Sequence, residues 1–423
     1  MEKSLIKILF ILSVFALMLS PRITFAQDDF SYGSPYTIFG IGNNTFYNND
    51  RISSMGVYGV ALNGGSVNTL NPAANSSLAN TIFSIGLKYN YLKSSDGINT
   101  MKTKTGNATG FNLGVPIDRD LGWSLALGFN PLYQVDYKVM QDISVGGIPA
   151  TATYAGNGGI TKINGGMSFA GIKPLSIGVE YNFAFGNLKK LSQLDFKDEN
   201  VINSYRRTED DLKGSFLKAG MVLDLKKMFT KLPMEFLNLG FVFQSKLKLS
   251  SSTDFIYNTS LGNDTTNYQT ADMNIPLAFG AGLSGKIGRQ LILSADVWMQ
   301  QWSDFDRGGV RQANLQNSIR AGIGFEVTPP PHADKTFWEN KYYRGGFFYE
   351  KTQYNINGNS VNGFGASLGM GIPISRYNSI DFAVAYLTRG RTSDGLIKDD
   401  ELRISAGITF GELWFVRPKD EDK

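Results

Sequence analysis

The sequence predicts an all-β protein: a transmembrane antiparallel β-barrel of about 14 strands with an N-terminal hatch inside the lumen. Three observations carry this. From residue 81 onward, apolar and polar or small residues alternate with period 2 over stretches of 10–12 residues. Soluble strands usually run ~5–6 residues, whereas a tilted strand crossing a bilayer needs ~9–11 with one continuous apolar face. The links between stretches alternate short and long. Residues 27–80, ahead of the first stretch, carry no such alternation.

Residues 1–26 read as an export signal. Lys3 and Lys7 precede an apolar run, Ile8–Leu19, and Thr24-Phe25-Ala26 offers small residues at a cleavage position. The chain has no Cys, which excludes disulfides, thiolate metal sites and a lipid-bearing N-terminal Cys. Its formal charge is +4; residues 1–26 contribute Lys3, Lys7 and Arg22 against Glu2, so about +2 is left. That near-balance gives no nucleic-acid footprint. No later stretch reaches the ~18 consecutive apolar residues of a membrane helix.

Residues 27–80 are rich in Gly, Asn and Ser but also carry Phe30, Tyr32, Tyr36, Phe39, Phe46, Tyr47 and Tyr58. A segment this long without a strand of its own needs a partner, and its aromatics argue against plain disorder. It is read as a hatch. Residues 81–415 form the barrel, and 416–423 a short polar tail.

The alternation is clearest in three places. One face is Phe83, Ile85, Leu87, Tyr89 and Tyr91; another is Leu175, Ile177, Val179, Tyr181, Phe183 and Phe185; a third is Leu402, Ile404, Ala406, Ile408 and Phe410. The fourteen segments centre near 82–92, 107–117, 121–137, 160–170, 174–186, 214–225, 235–248, 273–284, 290–300, 316–328, 342–352, 361–373, 378–388 and 401–413. An even count lets the first and last strands pair, which removes the open edge that lipid cannot satisfy. Links 118–120, 173–174, 286–289 and 375–378 are short; 94–106, 141–159, 187–213, 250–272 and 303–316 are long and polar. This asymmetry places both termini on the periplasmic side, with 329–340 an exceptionally long link there. Aromatics near strand ends, among them Tyr89, Trp123, Trp302, Tyr343, Tyr386 and Trp414, are candidates for interfacial girdles.

The inward faces are small. Gly110, Asn112 and Gly114 line one strand, and Gly363, Gly365, Ser367, Gly369 and Gly371 another. A fourteen-stranded barrel is already wider than its side chains can fill, so water, a plug or a ligand must occupy the space. Charges scattered on these faces include Lys88, Glu180, Arg320, Arg344 and Arg403. Mutual pairing that braces a plug accounts for each singly, since a lumenal charge is costly unless paired. The sharper reading is a polar handle for a ligand head group.

Taken together, the export signal, the Asn71-Pro72-Ala73 motif closing the N-terminal segment and the fourteen strands resemble FadL-like outer-membrane transport proteins (the OmpP1/FadL/TodX family). Ser34-Pro35-Tyr36, Phe39-Gly40-Ile41-Gly42 and the closing stretch from Ile408 to Phe415 are similar to Bacteroidetes-type members. The resemblance implies an integral protein of the Gram-negative outer membrane, in contact with its lipids and lipopolysaccharide. It implies passive uptake of hydrophobic or amphipathic molecules, fatty-acid-like or aromatic, with lateral exit at an inward kink of the third strand. Here Asn130-Pro131 interrupts that strand; proline cannot donate to the ladder and is expected at edges or bulges. Asn71, Pro72 and Ala73 are expected to anchor the hatch. The alternative function is an outer-membrane scaffold or shuttle accessory of a secretion system, with a secretion-system partner. No catalytic role, metal site or cofactor is expected: the sole His, His332, follows Pro329-Pro330-Pro331 with no nucleophile to serve.

Overall fold

The computed structural model describes residues 33–45, 49–259, 262–330 and 336–414. The expected export signal, His332, Phe415 and the polar tail lie outside them.

Fourteen antiparallel strands form one closed sheet. They are β1 (Thr81–Ser95), β2 (Thr100–Asp118), β3 (Trp123–Val145), β4 (Ile148–Ile172), β5 (Leu175–Phe196) and β6 (Ser204–Asp224). Two strands broken midway follow: β7 (Met234–Gln244 and Leu247–Thr259) and β8 (Gly262–Ile275 and Ala278–Ile287). The rest are β9 (Leu291–Gln300), β10 (Ser318–Val327), β11 (Tyr342–Ile356), β12 (Asn359–Pro373), β13 (Ser379–Arg389) and β14 (Lys398–Glu412). Closure runs from Lys398 opposite Ser95 to Glu412 opposite Thr81.

Outward side chains form an apolar band. Leu125, Leu127 and Phe129 on β3, Ile177, Val179, Tyr181 and Phe183 on β5, and Phe382, Val384 and Tyr386 on β13 are all exposed. A continuous belt of this kind suits lipid and is far larger than the patches soluble monomers carry. Trp123, Tyr343, Tyr386 and Trp414 stand exposed in this wall. Trp302 does not: it is 2% exposed, packed between Tyr133 and Phe305 inside the barrel. Its place in a loop that folds back into the lumen, not at a strand end, explains the difference.

The largest correction concerns the links. Four of the five stretches read as long polar loops, 94–106, 141–159, 187–213 and 250–272, are mostly strand. Above the bilayer neither face need be apolar, so the period-2 signal fades while ladder pairing continues. Val145 still pairs with Ile148 across a two-glycine turn, where Gly146 and Gly147 have φ of 60° and 86°. Both values fall in the left-handed region that a primed hairpin turn requires. Strands β3 to β8 therefore stand much taller than β9 and β10. The 25-residue β4, at ~3.3 Å per residue and ~40° tilt, rises roughly 60 Å, against an apolar band of ~25 Å.

The extracellular half of the lumen is a packed apolar core. Tyr133, Ile160, Leu188, Leu249, Ile275 and Tyr354 belong to it, and Tyr36 and Ile41 of the N-terminal segment pack into it. Below it lies the remainder of that segment.

Candidate functional site: the hatch and the central cavity

Residues 33–80 hold two charged side chains, Asp50 and Arg51, and among the described residues four short pieces of regular structure. One is a helical turn, Asp50–Ser54, whose cap is the Asn49 side chain accepting from the Arg51 N–H. Another is the six-residue 3-10 turn Pro72–Ser77, capped by Asn71. Proline at the first helical position costs nothing there, because that N–H has no internal partner.

The small inward residues of the barrel are where this backbone meets the wall. A Cβ on Gly346 or Gly324 would overlap the Met55 carbonyl, one on Gly322 the Gly56 carbonyl, and one on Gly240 the Val60 carbonyl. A Cβ on Gly178 would strike Pro72 and Ala73, and one on Gly220 the Asn71 side chain. The strands omit side chains where the hatch chain passes.

Charged contacts hold it there. Arg51 donates from Nε and Nη2 to the two Glu326 oxygens of β10, both at 2.8 Å. Arg344 of β11 donates from Nε to Glu326 at 2.6 Å and also pairs with Asp381 of β13. The Asp296 carboxylate of β9 accepts N–H bonds from Tyr58, Gly59 and Val60, the shortest 2.7 Å. Glu180 of β5 lies 3.1 Å from Lys162 and 3.7 Å from Lys218, and Lys218 donates to the Thr69 carbonyl at 3.1 Å. All these carboxylates are nearly inaccessible, the setting in which removing one partner of a pair is expensive.

Asn71, fully buried, donates to the carbonyls of Val60, Met221 and Phe241 at 2.7, 3.3 and 3.3 Å and accepts from the Ala73 N–H. Pro72 and Ala73 lie against Gly178. Asp50 sits beside Gly86 and Gly407, and burial pushes its carboxyl up to about 6, with Ser405 and Arg344 opposing the shift and Asp381 adding to it.

Between the hatch and the wall, inside the lumen, is a cavity of about 180 Å³. Lys88, Arg320 and Arg403 line it. Arg320 is sandwiched between the rings of Tyr58 and Phe348, at 4.5 and 4.1 Å from their centroids. Arg403 pairs with Glu401 at 2.8 Å. Of the five lumenal charges read from sequence, the structure brings Lys88, Arg320 and Arg403 to the cavity and sets Glu180 and Arg344 against the hatch-bearing wall.

At Asn130-Pro131, β3 parts from β2. The two strands pair from Asp118 opposite Trp123 up to Phe111 opposite Phe129, and no further. Beyond that point β3 keeps β4, with a bulge between Pro131 and Tyr133. Asn130 points inward, donating to Asn112 at 2.9 Å and Asn164 at 3.3 Å. The hatch takes up the released edge: Asn43 and Asn44 pair with Gln134 and Tyr133, and the Thr45 N–H donates to the Leu132 carbonyl. Sequence reasoning missed Arg51 and this edge pairing. The lone charged dipeptide in residues 33–80 was the available signal for the first.

A closed fourteen-stranded barrel, an outward apolar belt and an internal hatch define an integral outer-membrane β-barrel protein. The chain belongs to the BamG family, whose model matches residues 5–420. Among solved structures it is similar to the Ralstonia pickettii toluene transporter TbuX, with 15% identity over 88% of this chain and 98% of that one at a TM-score of 0.60. It is also similar to the CymD monoaromatic hydrocarbon channel (14%, 89% and 99%, TM-score 0.59) and to a Pseudomonas aeruginosa FadL homologue (14%, 86% and 98%, TM-score 0.59). At such identities the likeness is one of fold. No curated protein matches the chain. Among the described residues no group of His, Cys, Asp or Glu is placed to hold a metal ion.

Proposed function

We propose that this protein is a closed barrel acting as an outer-membrane scaffold, an accessory of a protein-secretion apparatus. The observation that carries this reading is how the lumen is filled. Hatch backbone fits the wall at the periplasmic end, a charged cavity follows, and a packed apolar core fills the extracellular half. A hydrophobic solute favours a continuous apolar path, and charged lining opposes it. The tall β3–β8 wall supplies a rigid surface for a partner above the membrane. Affinity purification from outer membranes tests this: a stoichiometric secretion-system partner supports the scaffold, and its absence together with measurable solute uptake overturns it.

A second reading is passive uptake of hydrophobic or amphipathic molecules, fatty-acid-like or aromatic. The parting of β2 from β3 at Asn130 and Pro131 favours it, with those residues at a lateral opening that the hatch covers at rest. In that reading Asn71, Pro72 and Ala73 anchor a movable hatch, and Lys88, Arg320 and Arg403 greet a polar head group. Uptake of long-chain fatty acids and aromatic hydrocarbons, compared between deletion and complemented strains, decides between the two. The division into export signal, hatch, barrel and tail, and the Bacteroidetes kinship of the terminal motifs, belong to the same proposal.

A further inference from the structure

We infer that the central cavity is a binding site for a small, hydrophilic oxyanion of the phosphate or sulfate class. The inference is independent of whether the barrel scaffolds or transports.

The cavity walls carry an excess of positive charge. Lys88, Arg320, Lys351, Arg389 and Arg403 line it, against the carboxylates of Asp136, Glu350 and Glu401. Two of these carboxylates lie against the cavity's own guanidiniums. Glu401 holds Arg403, and Glu350 lies 3.7 Å from Arg389 and 4.0 Å from Arg320. Lys88 stands apart. It is 9% exposed, it faces the cavity, and among the described residues its ammonium has no hydrogen-bond or ion-pair partner. Glu401 acts on it only at longer range than an ion pair; a buried lysine without a directly paired counter-charge is costly, and this chain elsewhere pairs its buried charges closely. Lys162 and Lys218, for example, share Glu180.

The chemistry of the walls selects the occupant. Arg389, whose Nη2 pairs with Asp399 at 3.4 Å, and Arg403, whose Nη2 pairs with Glu401, bring guanidiniums to the wall, a group that matches tetrahedral oxyanions, and Lys88 supplies a compact point charge. Thr103 and Thr105 add hydroxyls to the same wall. An acyl chain or aromatic ring placed here would strip water from these groups and return no hydrogen bonds. About 180 Å³ holds a phosphate-sized ion with some of its water. Hatch residues Ser34, Thr37 and Asn43 also line the cavity, so a bound anion would bridge hatch and wall.

Inorganic phosphate is the probe. Full-length protein in detergent, free of phosphate, is examined by equilibrium dialysis, with folding of every variant verified by heat-modifiable gel migration. The expected result is saturable binding of one phosphate per chain, displaced by sulfate and insensitive to chloride at matched ionic strength. Lys88→Gln should weaken binding by about tenfold or more, the range for losing a charge-assisted hydrogen bond, and Lys88→Arg should retain it. Lys93→Gln, on the exposed side of β1, should bind as the parent does. Absence of saturable binding to the folded parent, or unchanged binding by Lys88→Gln, would overturn the site. A monododecyl phosphate arm separates the sources: binding about tenfold or more tighter than inorganic phosphate would show that an amphiphile head group fills the cavity, and would overturn the free-ion form.

Discussion

Arg51 and Glu326 lie 275 positions apart in the chain and meet as a two-pronged pair, both contacts 2.8 Å long, joining the hatch to β10. Arg344 shares the same carboxylate and passes the contact on to Asp381. Four residues on four elements thus form one alternating chain of charge. Truncating Arg51 leaves Glu326 with a single cation in a water-poor site. Arg51→Ala is expected to weaken hatch docking by about 3 kcal/mol, the scale for breaking a buried pair. Hydrogen exchange of the 50–62 backbone amides reads this directly; unchanged protection would rule the pair out as a latch.

The glycines that receive the hatch give a steric test. Gly346→Ala places a methyl against the Met55 carbonyl, and neither is on a flexible side chain. An overpacking cost of about 1–3 kcal/mol follows, relieved when the hatch moves away. Planar-bilayer recordings should change from a closed parent to a conducting variant. Gly106→Ala meets open space and should leave conductance as it was.

Asn71 has its amide and carbonyl fully committed inside the barrel. Asn71→Ala strands the Val60 carbonyl and the Ala73 N–H, whose bonds to Asn71 are 2.7 and 3.1 Å, while the Met221 and Phe241 carbonyls lie in paired strands. Each buried group left unmade costs about 1–3 kcal/mol. The expected outcome is faster exchange at Val60 and Ala73, with the barrel's heat-modifiable migration intact. Normal exchange there would reduce the motif to an ordinary turn.

Asp50 predicts a pH dependence. Its carboxyl, pushed up to about 6 by burial, titrates near 3.8 in an exposed chain. Between those values the docked hatch holds a proton that the undocked hatch has released. Docking therefore weakens as pH rises from about 4 to 6, by roughly 3 kcal/mol, and is level above that. Asp50→Asn should strengthen docking at neutral pH and flatten the profile across this window, measured by hatch hydrogen exchange. Ser405, Arg344 and Asp381 also act on this group. A profile that keeps its slope in the variant would show that Asp50 is not its source.

The sequence showed the membrane-crossing part of each strand well because lipid imposes a strict alternation there. Ile177, Val179, Tyr181 and Phe183 could face nothing else. The upper strands were illegible for the complementary reason. At 187–213 the pairing of Lys189 with Glu209 and Asn187 with Asp211 keeps a ladder that no apolar face announces. Lumenal charge was visible as charge, but its partners were not. Asp296 is engaged by backbone N–H groups, which every residue but proline carries, so no side-chain pattern pointed to Tyr58–Val60. Trp302 was misplaced because a loop aromatic reads alike whether it turns to the interface or into the lumen.

The glycine-lined wall also bears on how the molecule is put together. Hatch atoms touch Gly178 and Gly220 on β5 and β6, Gly240 on β7, and Gly322, Gly346 and Gly407 on β10, β11 and β14. A sheet cut this closely to an irregular backbone can wrap that backbone but is a poor sleeve to thread with it. The hatch precedes β1 directly in the chain, and the β14–β1 seam closes the sheet. A segment fitted this closely is expected to take its place before the seam is closed, as a mandrel does.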